Sequence, residues 1–295
     1  MTDFLLAHEA LIRFAAFASV FVVMATSEVA APQRVQAIGR RSRWPNNLGV
    51  VALNTALVRI LFPTGAVALA MLAGGKGWGL LNAWAVPAWF AVPLAVIVLD
   101  CVIYLQHVLF HAVPALWRLH RMHHADLEFD VTTGARFHPI EIVLSMVIKL
   151  TIVAALGAPA VAVLIFEVLL NATAMFNHSN VQFPKQVDRV LRWLVVTPDM
   201  HRVHHSVVVR ETNSNFGFNL PWWDRLFGTY RDQPAAGHEQ MTIGVEKFRD
   251  PAEQRLDRML MQPFRSGKDH YAIGQRDAAD RPTINGRQSD ERKSA

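Results

Sequence analysis

Val86–Ala112 reads VPAWFAVPLAVIVLDCVIYLQHVLFHA, and this apolar run decides the fold. It is longer than the roughly 20 apolar residues that a helix needs to cross a bilayer. Four of its polar side chains, Asp100, Tyr104, His107 and His111, follow one another at steps of four, three and four, so a helix places them on one face. A single polar stripe on an apolar membrane helix faces the inside of a helix bundle. The run therefore predicts a membrane protein whose chemistry lies between its helices.

Other apolar segments lie on both sides of this run. The first two are long enough to cross a membrane, and the last two are near the lower limit for crossing. A Gly-Ala-Pro turn at 157–159 separates the last two, so we expect a tight helical hairpin with both ends on one side. The segments are Leu11–Ser27, Gly49–Ala73, Glu141–Leu156 and Ala160–Phe176. The predicted fold is an all-α polytopic membrane helical bundle of three spans plus a helical hairpin, with a helical, histidine-rich cytoplasmic cap.

The overall composition supports this fold class. Of the 295 residues, 52% are apolar and 18% are charged, whereas soluble proteins carry about 25% charged residues. Such a composition excludes a disordered chain. The single cysteine, Cys101, excludes a disulfide framework, a CxxC zinc or thiol site and an iron–sulfur cluster held by the usual set of cysteines. The net charge of +5 is unevenly spread, which favours a membrane topology over a nucleic-acid partner.

Lysine and arginine in short loops predict the orientation, because these residues accumulate on the cytoplasmic side. The loop after the first segment carries Arg34, Arg40, Arg41 and Arg43, whereas the loop after the second carries only Lys76. We therefore expect the first loop, the end of the third span and the histidine-rich region on the cytoplasmic side. The alanine-rich, short-looped chain indicates a bacterial inner membrane. The N-terminus lacks a basic region followed by a cleavage site, so we expect the first apolar segment to be retained.

The chain divides into regions by composition. Arg255–Phe264 places Leu256, Met259, Leu260 and Phe264 on one helical face, which predicts a helix that docks on the rest of the protein. Beyond it the chain is polar and charged, and we expect disorder there. The predicted regions are transmembrane helices at 1–112, a histidine-motif catalytic region at 113–230 that includes the membrane hairpin 141–176, a cytoplasmic docking segment at 231–265 and a disordered tail at 266–295.

The histidines point to a metal centre. The chain has 13 of them, and ten lie between His107 and His205. The pattern H-x-x-H-H occurs at 120–124 and again at 201–205. Because helix positions i, i+3 and i+4 converge, we expect each block to present three imidazoles to one point. Neutral imidazole is the commonest metal ligand, and one zinc takes only about four ligands, so this number of histidines favours two metals. The candidate ligands are His107, His111, His120, His123, His124, His178, His201, His204 and His205.

Taken together, the motifs resemble the fatty acid hydroxylase / sterol desaturase family of integral-membrane, non-haem diiron enzymes. The resemblance is strong from about Asp100 to Tyr230 and rests on hydropathy alone before that. The matching motifs are Asp100-x-x-x-Tyr104-x-x-His107-x-x-x-His111; His120-Arg121-Met122-His123-His124; Arg136-Phe137-His138-Pro139-Ile140-Glu141; Phe176-Asn177-His178-Ser179-Asn180; Thr197-Pro198-Asp199-Met200-His201-Arg202-Val203-His204-His205; Asn215-Phe216-Gly217; and Trp223-Asp224-Arg225-Leu226-Phe227-Gly228-Thr229-Tyr230.

The resemblance implies two iron ions, O2 as co-substrate and oxidation of an unactivated C–H bond of a lipid that enters from the bilayer. Hydroxylation and desaturation both remain open, and so does the lipid: a sterol, a fatty acyl chain, an alkyl glycerol or a carotenoid. The family's ligand positions carry over to the nine candidate histidines. Ala174 stands where some relatives have a further histidine. His138 matches a family position that is either a ligand or a supporting residue, and Asn180 is a possible extra ligand or support.

Three polar residues are candidates for holding ligand rings. Asp199 could accept an N–H from a histidine of the 201–205 block and fix its tautomer. Asp100 and Tyr104 could do the same for His107. An alternative role for Asp100 is an ion pair with Arg59, since both lie near the middle of adjacent antiparallel spans.

The sequence lacks a nucleotide-binding G-x-G-x-x-G after a strand, a haem-attachment motif and a cysteine set, so we expect a separate electron donor. A ferredoxin, a cytochrome or a reductase would dock on the basic cytoplasmic face. Two other classes remain as alternatives. A membrane metal transporter needs ligands near the midplane of the bilayer, whereas these histidines cluster at one end of the spans. A zinc-dependent membrane hydrolase uses fewer histidines, and no HExxH motif occurs here.

Overall fold

The computed structural model describes residues 2–266 and 270–273, and the elements that these residues form are helices. Short 3-10 turns lie at Thr133–Ala135, Pro251–Gln254 and Gln262–Phe264. The α-helices are α1 (Thr2–Ala7), α2 (Glu9–Ala30), α3 (Arg40–Leu61), α4 (Gly65–Lys76), α5 (Leu80–Ala83), α6 (Ala88–Ala112), α7 (Pro114–His124), α8 (Pro139–Leu156), α9 (Ala160–Asn177), α10 (Lys185–Leu191), α11 (Pro198–His204), α12 (Val209–Thr212), α13 (Trp222–Leu226), α14 (Gly237–Gln240) and α15 (Leu256–Met261).

Five stretches of the described chain are long and apolar enough to cross a membrane, and the protein is a multi-pass membrane protein. They are α2, the stretch Arg40–Ala83 that contains α3 to α5, α6, α8 and α9. The all-helical bundle predicted from the sequence is therefore confirmed. The apolar core lies among α4, α6, α8 and α9, with Ala95, Leu99, Val153 and Phe166 almost fully buried.

The second predicted span, Gly49–Ala73, is not one continuous helix. Helix α3 ends at Leu61, and α4 begins at Gly65. Pro63 lies in the break and has no N–H to donate to a helix, and Gly65 has a positive φ of 65° that starts the next helix in a new direction. The whole stretch Arg40–Ala83 still counts as one candidate span, so the structure adds a break within the helix, which an apolar run by itself does not show.

The hairpin turn is confirmed, and its two arms are held apart by other helices. Gly157 ends α8 with a φ of 68°, and Pro159 precedes α9. Both arms pack on α4 and α6 rather than along each other, although Lys149 of α8 forms an ion pair with Glu167 of α9. The loop before α5 touches this turn so closely that a Cβ on Gly79 would lie 2.1 Å from the Gly157 nitrogen.

A buried ion network joins the start of α3 to the loop after α7. Arg43 donates to both carboxylate oxygens of Asp126 at 2.7 and 2.9 Å and to Asp130 at 2.7 Å. All three side chains are inaccessible to solvent. Arg136 lies 3.6 Å from Asp126. Burial raises the pKa of Asp126, but the two guanidinium groups outweigh it and lower that pKa to about 2. This loop directly follows the H-x-x-H-H block at the end of α7. The network therefore holds the end of α7, with its three histidines, against α3.

The predicted docking helix is α15, followed by one 3-10 turn, and it packs on α3 and α7. Met259 is fully buried against Val50 and Met122, and Leu256 joins them. Phe264, which the sequence placed on the same face, is 56% exposed, because the turn after Met261 changes the direction of the chain.

The tail predicted to be disordered from residue 266 is ordered at 270–273. Tyr271 stacks on Trp117 with ring centroids 5.5 Å apart, and Ala272 is fully buried. That part of the prediction was wrong because one aromatic ring suffices to anchor a short polar segment. Residues 267–269 and 274–295 lie outside the described part of the chain.

Candidate metal centre

The nine candidate histidines meet at the end of the bundle where α6 and α9 finish, and they form two groups. Within each group the nearest ring nitrogens all lie within 4.8 Å of one another, and every ring is buried. The five-histidine group consists of His107, His111, His120, His124 and His204. The four-histidine group consists of His123, His178, His201 and His205.

Each H-x-x-H-H block divides between the two groups, contrary to the expectation that a block serves one point. Residues four apart differ by about 40° around a helix, so His120 and His124 share a group. His123 differs from His124 by about 100° and faces the other group. In the second block the same rule keeps His201 with His205 and sends His204 across to the five-histidine group. The two motifs therefore interlock, and each contributes to both groups.

The ring nitrogens that face each other are all Nε2 atoms. His107 and His120 approach to 3.1 Å, and His111 and His124 approach to 3.2 Å. In the other group His178 lies 3.1 to 3.2 Å from its three partners. Two ligand atoms about 2.1 Å from one metal, at right angles, would be about 3.0 Å apart. The observed spacing therefore fits a metal ion in each group.

The chemistry of the rings fits a cation as well. His178 donates from Nδ1 to the Ala174 carbonyl at 2.7 Å, so its Nε2 carries a lone pair that points at three other imidazoles. Burial lowers the pKa of His120 and of His178 to about 3. Burial and then the neighbouring rings lower the pKa values of the other histidines in the 120–124 and 201–205 motifs well below the usual range. Neutral, buried imidazoles with converging lone pairs are what a divalent metal binds.

One segment, 213–216, orients three rings of the five-histidine group. It lies between α12 and α13 and supplies one side-chain and two main-chain oxygens, which accept from Nδ1 and leave Nε2 for a metal. The contacts are His111 to Asn213 Oδ1 at 3.1 Å, His204 to Ser214 O at 2.7 Å and His107 to Phe216 O at 2.8 Å. Sequence reasoning missed this role because two of the three acceptors are backbone atoms, which carry no sequence signal.

A buried carboxylate orients a fourth ring. Glu141, at the start of α8, accepts from His120 Nδ1 at 2.7 Å. Sequence reasoning placed Glu141 in a motif without giving it a role, although a glutamate just inside a membrane helix is a signal in itself. Four of the five rings in this group thus have an acceptor on the outer nitrogen.

Asp224 holds the segment 213–216 in place through hydrogen bonds to its backbone. Its carboxylate accepts from the backbone nitrogens of Phe216 and Gly217 at 2.7 and 2.8 Å and from the Thr229 hydroxyl at 2.7 Å. Burial raises the pKa of Asp224 to about 6. Asn215 adopts a positive φ of 52°, and its amide bonds to two backbone oxygens. Residues from 213 to 229 therefore form a hydrogen-bonded segment that packs against the five-histidine group.

The residues predicted to hold ligand rings have other partners. Asp199 forms an ion pair with Arg202 and lies 3.8 Å from His238, which is not one of the nine. Asp100 accepts from Trp223 Nε1 at 2.7 Å, so the predicted pair with Arg59 was wrong. The reason is that α13 folds back against α6 and offers a nearer donor.

Tyr104, His138 and Asn180 also lie outside the two groups. The Tyr104 hydroxyl is 3.0 Å from Thr229 Oγ1, not from His107. His138 caps α8 by accepting from the Ile140 nitrogen, and its other nitrogen is 3.3 Å from the Leu260 carbonyl. Asn180 bonds to the backbone of Arg34. The contacts of all three side chains are thus with atoms outside the two histidine groups.

A cavity of about 260 Å³ runs between the membrane helices to the five-histidine group. His107 and His120 line it at this end, and Phe17 of α2, Thr55 of α3 and Asn171 of α9 line it further along the helices. Thr55 and Asn171 are exposed on the surface of membrane helices. The cavity thus extends from the five-histidine group towards the outer surface of the apolar helices.

Comparison with known families agrees with this geometry. The sequence profile named fatty acid hydroxylase matches residues 92–229, a range that holds all nine histidines, Glu141 and the segment 213–216. This part of the chain is therefore similar to the fatty acid hydroxylase family. The matched range runs from within α6 to the residues just after α13, so it includes the hairpin and both H-x-x-H-H blocks.

The names of similar curated proteins refer to several lipids. An ornithine lipid hydroxylase of Rhizobium tropici is 32% identical over 148 residues, 50% of this chain and 44% of its own. An alkylglycerol monooxygenase of Xenopus tropicalis is 30% identical over 128 residues, 43% of this chain and 27% of its own. A cholesterol 25-hydroxylase of Rattus norvegicus is 26% identical over 166 residues, 55% of this chain and 53% of its own. The chain thus spans about half or less of each relative's length, and no solved structure matches it.

Proposed function

We propose that this protein is an O2-dependent membrane lipid oxidase with two iron ions, which hydroxylates or desaturates an unactivated C–H bond. The observation that carries the proposal is the juxtaposition of two converging histidine groups with a cavity that opens among membrane helices. The relatives named hydroxylase or monooxygenase support the oxidative class. Binding of a metal at two positions explains why nine buried imidazoles converge, because a single zinc would use only about four of them.

The nine histidines would hold the two irons, which supply dioxygen binding and the oxidising power for C–H cleavage. The chain's own residues provide the rest. Carbonyl, amide and carboxylate oxygens keep five of the nine rings in one tautomer, with Nε2 turned inward. Apolar walls such as Phe110, Phe137 and Phe218 line the cavity and exclude water from it. The substrate enters laterally from the bilayer, between α2, α3 and α9.

We place the site on the cytoplasmic side of a bacterial inner membrane. Arg34 lies between α2 and α3, and Arg40, Arg41 and Arg43 lie in the first turn of α3, at the end of the bundle where the histidines meet. Electrons then arrive from a separate ferredoxin, cytochrome or reductase on that side. Turnover of the purified protein with NADPH alone would contradict the separate donor.

Metal content per chain, combined with Mössbauer spectroscopy of the iron-57 protein, tests the proposal. Two irons per chain with a coupled spectrum, and O2-dependent oxidation of lipid with a reductase pair, are expected. One zinc per chain and hydrolysis of an ester or amide lipid would favour the hydrolase, and passage of metal across vesicles would favour the transporter. A His107→Ala variant that keeps full lipid oxidation would contradict the assigned centre.

A further inference from the structure

Polar side chains form part of the lining of the cavity, between helices that are otherwise largely apolar. Asn54 of α3, Gln106 of α6 and Glu141 of α8 all belong to its lining. Polar groups among membrane helices are costly unless they bind something. Gln106 directly precedes His107, and Glu141 contacts His120, so this polar ring lies next to the five-histidine group.

The hydrogen bonds of Asn54 and Glu141 leave one acceptor atom free on each. Asn54 is 7% exposed and donates from Nδ2 to the Phe137 carbonyl at 2.8 Å. A carbonyl only accepts, so the other amide atom of Asn54 is an oxygen, and among the described residues this buried Oδ1 has no partner. Glu141 is 4% exposed, and while its Oε1 accepts from His120, its Oε2 is buried and has no partner in the described chain.

Gln106 adds a third acceptor. It donates from Nε2 to the Ser145 hydroxyl at 2.7 Å, and its Oε1 is buried without a partner in the part of the chain that the structure describes. Ser145 lines the same cavity. Three helices thus each contribute one lining residue with a buried oxygen acceptor that has no partner among the described residues, and the cavity that they line ends at two histidine rings. A plain hydrocarbon chain would leave all three unpaired, at a cost for each.

We propose that the cavity binds a lipid that carries a hydrogen-bond donor, a hydroxyl or an amide N–H, beside the carbon that is oxidised. This inference rests on the proposed function, because it names the class of substrate for that site. The free oxygens of Asn54, Gln106 and Glu141 accept from the donor group and hold the neighbouring carbon at the five-histidine group. A site built to bond a donor discriminates strongly against an analogue without one, since its own polar atoms are then left unpaired.

Binding of matched lipids to the full-length, metal-loaded protein in nanodiscs tests this inference. The probes are radiolabelled 1-hexadecanol, hexadecanamide and hexadecyl methyl ether, which share one chain length and differ in the donor. We expect the alcohol or the amide to bind about tenfold more tightly than the ether, and the tighter of the two identifies the donor as hydroxyl or amide. Equal binding of all three, or binding of none, overturns the proposal.

Two variants locate the recognition. Asn54→Leu and Gln106→Met remove one acceptor each at similar volume, and each is expected to weaken binding of the preferred probe about fivefold while leaving the ether unchanged. Thr151→Val is the matched control, because its hydroxyl bonds within α8 to the Val147 carbonyl, away from the cavity. Metal content is measured for each variant, so that loss of the metal centre is not mistaken for loss of recognition. Equal weakening of alcohol and ether by the two variants overturns the proposal.

Product analysis separates this inference from the proposed function. If the ether is oxidised as readily as the alcohol with O2 and a reductase pair, the oxidase stands and the donor requirement fails. If the alcohol or amide binds selectively and is never oxidised, the recognition stands and the oxidase fails.

Discussion

His123 and His124 are neighbours in sequence, yet their rings lie 5.3 Å apart at 88° and belong to different histidine groups. His123 faces His178 at 3.2 Å, and His124 faces His111 at 3.2 Å. The end of α7 therefore lies between the two histidine groups and contributes to both. Substitution of either residue therefore removes a histidine from one group and leaves the other group complete.

Removing each neighbour should therefore empty a different metal position. We expect His123→Ala and His124→Ala each to retain about one iron per chain, because each removes one ligand from one group and leaves the other group complete. Mössbauer spectra of the two variants should differ, since the remaining iron has five histidines in one and four in the other. Identical spectra from both variants would contradict the division into groups.

Chelation should remove metal from the four-histidine group first. Four rings of the five-histidine group have an acceptor for Nδ1, whereas among the described residues Nδ1 of His123, His201 and His205 has none. Loss of such a partner typically lowers metal affinity by about 10- to 100-fold. A timed chelator titration followed by Mössbauer spectroscopy measures the order. Simultaneous loss of both irons from the intact protein is the contrary result.

Glu141 should strengthen metal binding, because its carboxylate oxygen accepts a hydrogen bond from His120 and orients that ring. Glu141→Leu removes the acceptor, and we expect metal affinity of the five-histidine group to fall about 10- to 100-fold. Glu141→Gln keeps an amide oxygen at the same place and should lose much less. Competition with a calibrated chelator measures both. Equal losses in the two variants would show that negative charge, not orientation of the ring, is what Glu141 supplies.

A methyl group at Gly134 should disturb the four-histidine group. A Cβ there would lie 2.3 Å from the Ala174 carbonyl oxygen and 3.1 Å from His178 Nδ1, and the Ala174 carbonyl is the acceptor that orients His178. We expect Gly134→Ala to lose about one iron per chain, because backbone must move. Gly74→Ala is the control, since a Cβ there meets nothing within 4 Å. Full metal content in Gly134→Ala would contradict the tight packing.

The buried ion network should be essential for stability. Arg43→Met leaves Asp126 and Asp130 buried without their main partner, and breaking such a pair costs about 3–5 kcal/mol. We expect the unfolding temperature of the protein in detergent to fall clearly. Differential scanning fluorimetry at a fixed scan rate measures this temperature. Arg41→Gln is the matched control because Arg41 is exposed. A similar fall in both variants would mean that positive charge at this end of the bundle, not the network, is responsible.

Some features of the site follow from local sequence alone. Helical periodicity relates residues three and four apart, so the stripe from Asp100 to His111 and the two H-x-x-H-H blocks predicted buried polar helices at the metal centre. The turn at 157–159 was also predictable, because glycine with a positive φ and proline end and begin helices locally. The break near Pro63 has the same local signal, a proline close to a glycine with a positive φ. The hydropathy of the segment did not reveal it, because the apolar residues continue on both sides of the break.

The sequence by itself determined that this protein is a helical membrane bundle with nine histidines at one end, because hydropathy and helix spacing are local properties. Only the tertiary structure decided how those histidines divide between two groups and what holds their rings. His204 joins the group that contains His107, and the Phe216 carbonyl orients His107 from more than 100 residues away. Such contacts depend on the packing of distant segments and in part on backbone atoms that every residue shares, so no local pattern encodes them.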